Sequence, residues 1–204
     1  MKEFWNIRYG DSIYAYGKTP NVFFKKQIER LIPGKILMAA EGEGRNAVYA
    51  AQLGWDVYAY DFSEAAFTKA IALAEEKLVS IDYQICSLAD LDFPLAHFDA
   101  IGLIYVHFPD SMRTQNHRQL TAFLKPGGQV ILEGFSTQHP QYQKLNQSVG
   151  GPKMPEQLYS VEKIQNDFVG FKFPILEEVE IELNEGLYHQ GRTKVIRMYG
   201  QKKS

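Results

Sequence analysis

The sequence predicts an α/β fold, a mostly parallel sheet covered by helices and closed by an antiparallel hairpin. Three observations predict it. Short apolar runs alternate with helix-like stretches through the middle of the chain, the pattern of strands buried between helices. A glycine-rich turn, Gly42-Glu43-Gly44, joins the first apolar run to a helical stretch. Two late segments, residues 175–183 and 193–199, alternate apolar and polar residues, as a closing antiparallel pair does.

The elements follow in order. Residues 1–32 form a lead segment, rich in aromatics at Phe4, Trp5, Tyr9, Tyr14 and Tyr16. It fits either a lid over a ligand or a helix packed on the sheet. Residues 22–32 read as an amphipathic helix stopped by Pro33-Gly34, and residues 36–40 as a buried strand. After the glycine turn, residues 46–53 return to helix and end at Gly54. Residues 57–60 are a second strand closing on Asp61, and Ser63 is positioned to cap an alanine-rich helix running to about residue 78. Residues 81–85 suggest a third strand and 100–106 a fourth, fully apolar one. A helix capped at Asp110 or Ser111 runs to Leu124, and Lys125-Pro126-Gly127-Gly128 stops it with a turn. Residues 129–132 are then a fifth strand. Residues 136–157 are polar and carry Gly150-Gly151-Pro152, so they read as a loop, followed by a helix at 160–168. Residues 136–170 are thus expected to be an insertion near the ligand, within one domain spanning 1–204.

Composition narrows the function. At 204 residues and 45% hydrophobic, the chain can bury a sizeable core. A net charge of −2 argues against a nucleic-acid or membrane surface built on bulk positive charge. Cys86 is the single cysteine, which excludes an intrachain disulfide and a thiolate metal cage. The five histidines, at positions 97, 107, 117, 139 and 189, stand singly without metal-ligand spacing, and no metal is expected. No leader-like or membrane-spanning apolar run is present, and a cytoplasmic location is expected.

Three signals carry chemistry. Gly42 and Gly44 allow a sharp turn and close approach of a ligand to the backbone, and the helix behind them offers free N–H groups to a carboxylate or phosphate. Asp61 lies 17 residues after Gly44, near the ~20 of an acid that binds a ribose diol, though it also suits a helix-capping acid beside Ser63. Leu88 and Ala89 can pack on a base and Asp90 can accept from its amino group. The same residues also suit a solvated acidic loop, and Asp92 competes.

In that order and spacing these pieces resemble the class I S-adenosylmethionine-dependent methyltransferases, nearest to the tellurite-resistance and thiopurine methyltransferase-like branch. The matching residues are Tyr16-Gly17-Lys18-Thr19-Pro20-Asn21, Gly42-Glu43-Gly44-Arg45-Asn46-Ala47, Asp61-Phe62-Ser63, Leu88-Ala89-Asp90, Phe98-Asp99-Ala100-Ile101 and Leu124-Lys125-Pro126-Gly127-Gly128, and the resemblance spans residues 16–135. It implies a Rossmann-like three-layer sandwich, with a seven-stranded, mostly parallel sheet whose last strand is antiparallel. It implies S-adenosyl-L-methionine as cofactor, held by Tyr16, Glu41, Gly42, Glu43, Gly44, Asn46, Asp61, Phe62, Ser63, Leu88, Ala89, Asp90 and Tyr105. Two departures stand out. Met38 and Ala40 replace the family's usual acid and glycine, and Glu41 sits where a small residue is common. Glu41 is expected to stand in for that acid and meet the donor's ammonium group.

On the acceptor side, Tyr105, His107 and Phe108 follow the fourth strand, where ligands sit in such sheets. His107 suits a general base or a structural histidine before Pro109. Glu185 and His189, in the hairpin loop, form a second candidate pair or a polar turn. The expected reaction is in-line methyl transfer to a small-molecule acceptor by a monomer or weak homodimer, with no nucleic-acid or membrane partner. The rival readings are an NAD(P)-dependent oxidoreductase, which the glycine turn and Asp61 also fit, and a non-catalytic S-adenosylmethionine-binding protein.

Overall fold

The computed structural model describes residues 2–204. The elements run α1 (Lys2–Tyr9), α2 (Val22–Ile28), β1 (Lys35–Ala39), α3 (Arg45–Gln52), β2 (Asp56–Asp61), α4 (Glu64–Glu76), β3 (Asp82–Ile85), β4 (Phe98–Ile104), α5 (Asp110–Ala122), β5 (Leu124–Phe135), α6 (His139–Leu145), α7 (Val161–Asp167), β6 (Phe171–Glu185) and β7 (His189–Lys202). The seven strands form one sheet in the order β3-β2-β1-β4-β5-β7-β6. β1 to β5 pair in parallel, and β7 runs antiparallel to both β5 and β6. This is the Rossmann-like, seven-stranded sheet that the resemblance implies, with its last strand antiparallel.

Alternation along the strands builds two cores and hence three layers. On one face Ile36, Met38, Val57, Ala59 and Ala100 meet Phe24 of α2, Ala47 of α3 and Ala70 of α4. On the other, Leu37, Ala39, Ile101 and Leu103 meet Leu120 of α5 and Ile164 of α7. Strands buried on both faces need continuous apolar runs, which is why β1 and β4 were readable.

Several boundaries differ from the expectation. β5 begins at Leu124 and carries the Lys125–Gly128 turn inside it as an irregularity. Its pairing steps from Phe98↔Leu124 to Ala100↔Gln129, and the extra residues bulge where Gly127 takes φ 77°. β4 stops at Ile104, and Tyr105 turns out of the strand with φ 56°. α2 stops at Ile28, where Glu29 caps it, rather than running to the Pro33-Gly34 break. Residues 136–157 are not an unbroken loop. Pro140 near the start of α6 presets its φ, and Asn146 then nucleates a 3-10 turn by accepting from the Ser148 amide. The hairpin of β6 and β7 is longer than its alternating core, because each strand extends past the segment where one face alternates. Among the described residues no helix is long and apolar enough to cross a membrane.

Candidate active site

β2, β1 and β4 lie side by side in the sheet with their carboxyl ends together, and the β6–β7 turn is tied to the lead segment, the Leu187 amide donating to the Ala15 carbonyl at 2.9 Å. β1 leaves the sheet through two left-handed glycines, Gly42 (φ 63°) and Gly44 (φ 86°). A side chain on Gly44 would lie 2.7 Å from Ala70 Cβ, so its absence lets α3 and α4 pack. A side chain on Gly42 would lie 2.8 Å from the Tyr9 hydroxyl, because the lead segment folds α1 across the turn. The Tyr83 hydroxyl donates to the Gly42 carbonyl at 2.7 Å and fixes the turn from β3.

The helix behind the turn is not free to receive a ligand's anion, as its sequence position suggested. The Glu41 carboxylate accepts the amides of Asn46 (2.8 Å) and Ala47 (2.7 Å), the first-turn donors of α3. The acid that departs from the family pattern therefore caps this helix from within the chain. Burial pushes its pKa up to about 7, against the lowering effect of those amides. Glu43 turns the other way, pairing with Lys69 at 2.8 Å and accepting the Tyr16 amide at 3.5 Å. The Asn46 side-chain oxygen accepts the Asn21 amide at 2.9 Å and ties the lead segment to α3.

Asp61 ends β2 only 6% exposed. Its two oxygens accept the Gly42 amide at 3.2 Å and the Ser63 amide at 2.9 Å, so it joins the ends of the first two strands. Burial raises its pKa, opposed by these amides. Ser63 caps α4 through the Ala66 amide at 3.2 Å and donates to Asn6 at 2.6 Å, which anchors α1. Phe62 beside them is half-buried. Leu88–Asp90 form a 3-10 turn after β3, with Leu88 half-buried and Ala89 and Asp90 exposed. Asp90 accepts the Ser87 amide (3.0 Å) and hydroxyl (2.6 Å), which lowers its pKa.

Beyond the end of β4 lies a buried polar network under an aromatic cup. Tyr105 sits in the left-handed region, a strain of ~1–3 kcal/mol of the kind that collects at functional sites. Its hydroxyl donates to Glu133 at 2.9 Å. Glu133, 1% exposed near the carboxyl end of β5, also accepts from Asn21 (2.6 Å) and Arg197 (2.6 Å). Asn21 donates again to Glu185 at 3.0 Å, and Arg45 pairs with Glu185 at 2.9 Å. His189 Nδ1 donates to Glu185 at 3.1 Å. The His189 ring lies 4.4 Å from Tyr16, 4.5 Å from Tyr105 and 5.3 Å from Phe135, centroid to centroid. Arg8 borders the cup, donating to the Tyr16 hydroxyl at 3.1 Å and lying 4.0 Å over the Tyr188 ring.

Tyr16, Tyr105, Glu185 and His189 are thus brought together, whereas His107 is not. Its Nδ1 donates to the Gln157 carbonyl at 2.7 Å, and its Nε2 accepts the Phe135 amide at 3.2 Å. Burial drives its pKa to about 3. With both nitrogens engaged it has no free site for a proton, and the structural reading of His107 holds over the catalytic one. Asn21 and Arg45 lie within the matching stretches but were given no role, and Glu133, Arg197 and Tyr83 were not singled out by sequence. Glu133 left a signal, an acid inside the apolar run Val130-Ile131-Leu132. Tyr83 left none.

Two of these acids carry a pH prediction. Burial opposes ionisation of Glu185, but the Arg45 charge and the His189 bond outweigh it and hold the acid at about 2, against an ordinary 4.5. Asp167, 3% exposed, is held at about 2 against 3.8 by bonds from His117, Arg113 and Thr114 that outweigh its burial. Both are depressed, so their contribution is complete above those ordinary values and is lost as pH falls toward 2. Each amounts to about 2–3 kcal/mol. Thermal unfolding followed from pH 6 to pH 2 should lose stability most steeply below pH 4.5, and Asp167→Asn should flatten that limb. An unchanged slope in the variant would show that Asp167 is not depressed.

Residues 36–128 match the methyltransferase domain family. Sequence comparison with curated proteins gives no match. Solved structures share the fold across the whole chain. A protein from work on the conversion of a disulfide bond into a thioacetal group during echinomycin biosynthesis is 17% identical, with a TM-score of 0.78 over 100% of this chain and 92% of that one. TehB from Haemophilus influenzae is 14% identical, with a TM-score of 0.71 over 99% of this chain and 67% of that one. Magnesium protoporphyrin IX methyltransferase from Synechocystis PCC 6803, solved with bound SAH, is 17% identical, with a TM-score of 0.68 over 98% and 93%.

Proposed function

Because residues 36–128 are a methyltransferase domain on the class I methyltransferase fold, whose donor is S-adenosylmethionine, we propose that the chain passes the donor's methyl group to a small-molecule acceptor held in the Tyr16–Tyr105–His189 cup. One observation carries the reading. Asp61 accepts the Gly42 amide at 3.2 Å, so the acid and the glycine turn form one unit at the carboxyl ends of β1 and β2.

The donor set fits the group chemically. Asp61 keeps lone pairs beyond its two amide bonds and takes the ribose hydroxyls. Phe62, Leu88 and Ala89 flank the base, and Asp90 accepts from its amino group. Gly42 turns bare backbone toward the donor's amino-acid end, Gly44 lets α3 close on α4 behind it, and Glu41, Glu43, Asn46 and Ser63 support the turn. A sulfonium is a cation, and the faces of Tyr16 and Tyr105 suit it. Bound there, the donor supplies an already activated methyl group. What remains for the protein is to align the acceptor behind the methyl carbon and exclude water. Tyr9, whose hydroxyl rests at Gly42, makes α1 the cover of this groove.

Calorimetry with S-adenosylhomocysteine and with NADH tests the donor, and labelled-methyl transfer to a panel of thiols, phenols and selenium compounds tests the acceptor. S-adenosylhomocysteine should bind and NADH should not. Binding of NADH alone would return the chain to the oxidoreductases. Donor binding without transfer to any acceptor would make it a binding protein.

A further inference from the structure

We propose that His189 and Glu185 form a dyad in which His189 Nε2 takes the proton of an O–H, N–H or S–H acceptor during methyl transfer, so that the substrates of this enzyme are protic nucleophiles. The inference rests on the methyltransferase reading of the same site and names its substrate class.

The geometry supplies the parts. Glu185 can only accept, so the nitrogen 3.1 Å away, Nδ1, carries the ring's proton and Nε2 carries the lone pair. Among the described residues nothing hydrogen-bonds Nε2, and it is not one of the buried side-chain atoms left unpartnered. It therefore keeps a small solvent-accessible surface, although the residue as a whole is only 4% exposed. Glu185 is itself pinned by Arg45 and Asn21, so the ring is fixed as the base of a catalytic triad is fixed by its acid. His107 and His139 do not compete. Each has both ring nitrogens bonded, His139 to Thr193 and to the Gly150 carbonyl.

The charged and titratable groups around the ring come from every packed element. They are Glu185 from β6, Arg45 from α3, Arg8 from α1, Tyr16 from the lead segment, Tyr105 after β4, and His107 and His139 beyond. Burial lowers the imidazole pKa and favours the neutral ring, while the Glu185 carboxylate works in the opposite direction. In the step itself the acceptor X–H bond breaks and its proton passes to Nε2. The freed pair forms the X–C bond to the methyl, and the C–S bond breaks with its electrons leaving on sulfur as a neutral thioether. His189 is the catalytic residue here and Glu185 a positioning residue.

Two measurements test it. Nitrogen-15 NMR of histidine-labelled protein should show the His189 ring as the Nδ1–H tautomer at pH 7. In Glu185→Gln its protonation should move to lower pH, because the carboxylate that favours imidazolium is gone. Steady-state transfer to catechol, which has a proton to lose, gives the kinetic arm. His189→Gln should lose about a hundredfold in kcat for catechol, with the acid limb of its pH profile abolished and with KM changing far less than kcat. Free imidazole should restore part of the catechol rate in His189→Ala. S-adenosylhomocysteine affinity should be unchanged in His189→Gln, which separates loss of the base from failure of the donor reading. An Nε2–H tautomer, or a His189→Gln variant that methylates catechol at the parent rate, would overturn the dyad while leaving the methyltransferase reading in place.

Discussion

Replacing Asp61 with alanine should weaken S-adenosylhomocysteine binding roughly a thousandfold, measured by calorimetry. The acid has two jobs that a small side chain cannot share. It faces the groove where the ribose diol is proposed to sit, and two hydrogen bonds to an ionised acceptor, at ~2 kcal/mol each, give that factor. Its oxygens also accept the Gly42 and Ser63 amides, at 3.2 and 2.9 Å, so its loss loosens the glycine turn as well. Asp61→Asn divides the two effects. The amide oxygen can keep one backbone bond, while the NH2 group cannot accept from a ribose hydroxyl. The asparagine variant should therefore lose less melting temperature than the alanine variant, since one of the two backbone amides keeps its acceptor, and still lose most of the affinity. Donor affinity within tenfold of the parent in Asp61→Ala would remove Asp61 from the site.

The parts of this molecule readable from sequence are those in which one residue type answers one local demand. Gly42 and Gly44 had to be glycines because the backbone is left-handed there, and Ser63 announced the start of α4 because its hydroxyl caps a nearby amide. β1 and β4 were legible because burial on both faces demands unbroken apolar runs. The misread parts depend on partners distant in the chain. Glu41 is the exception, since its carboxylate reaches the Asn46 and Ala47 amides only five and six residues on, a local capping contact where a bond to the donor's ammonium group was expected. His107 stayed open between a base and a structural histidine because sequence does not reveal that Gln157 and Phe135 use up its nitrogens. The network that shapes the acceptor side spans Asn21 to Arg197, and no spacing rule connects such positions. Pro140 was in plain view, but α6 was lost among the polar residues of 136–157 because a helix of 7 residues shows too little periodicity to read.

Glu133 ties the fold to the chemistry, and its replacement by leucine should be the most destabilising change in the sheet. Three donors converge on its carboxylate: Arg197 Nε and Asn21 Nδ2 at 2.6 Å each, and the Tyr105 hydroxyl at 2.9 Å. Leucine fills the volume but leaves a guanidinium, an amide and a phenol facing a hydrocarbon. Removing one partner of a buried ion pair costs about 3–5 kcal/mol, which for a chain of this length lowers the melting temperature by roughly 10 °C. Adding Arg197→Met removes the orphaned charge, and the double variant should recover most of that loss, since a buried pair exchanged for apolar side chains is often close to neutral. Activity should not recover with it. Tyr105 is held in a strained backbone conformation and loses its anchor in both variants, so the wall of the cup beside His189 relaxes in each. Thermal unfolding and methyl transfer on the same pair of variants would thus separate the two roles of one carboxylate. A single Glu133→Leu variant as stable as the parent would mean that the three donors find other acceptors, and that the cup does not depend on β5 for its shape.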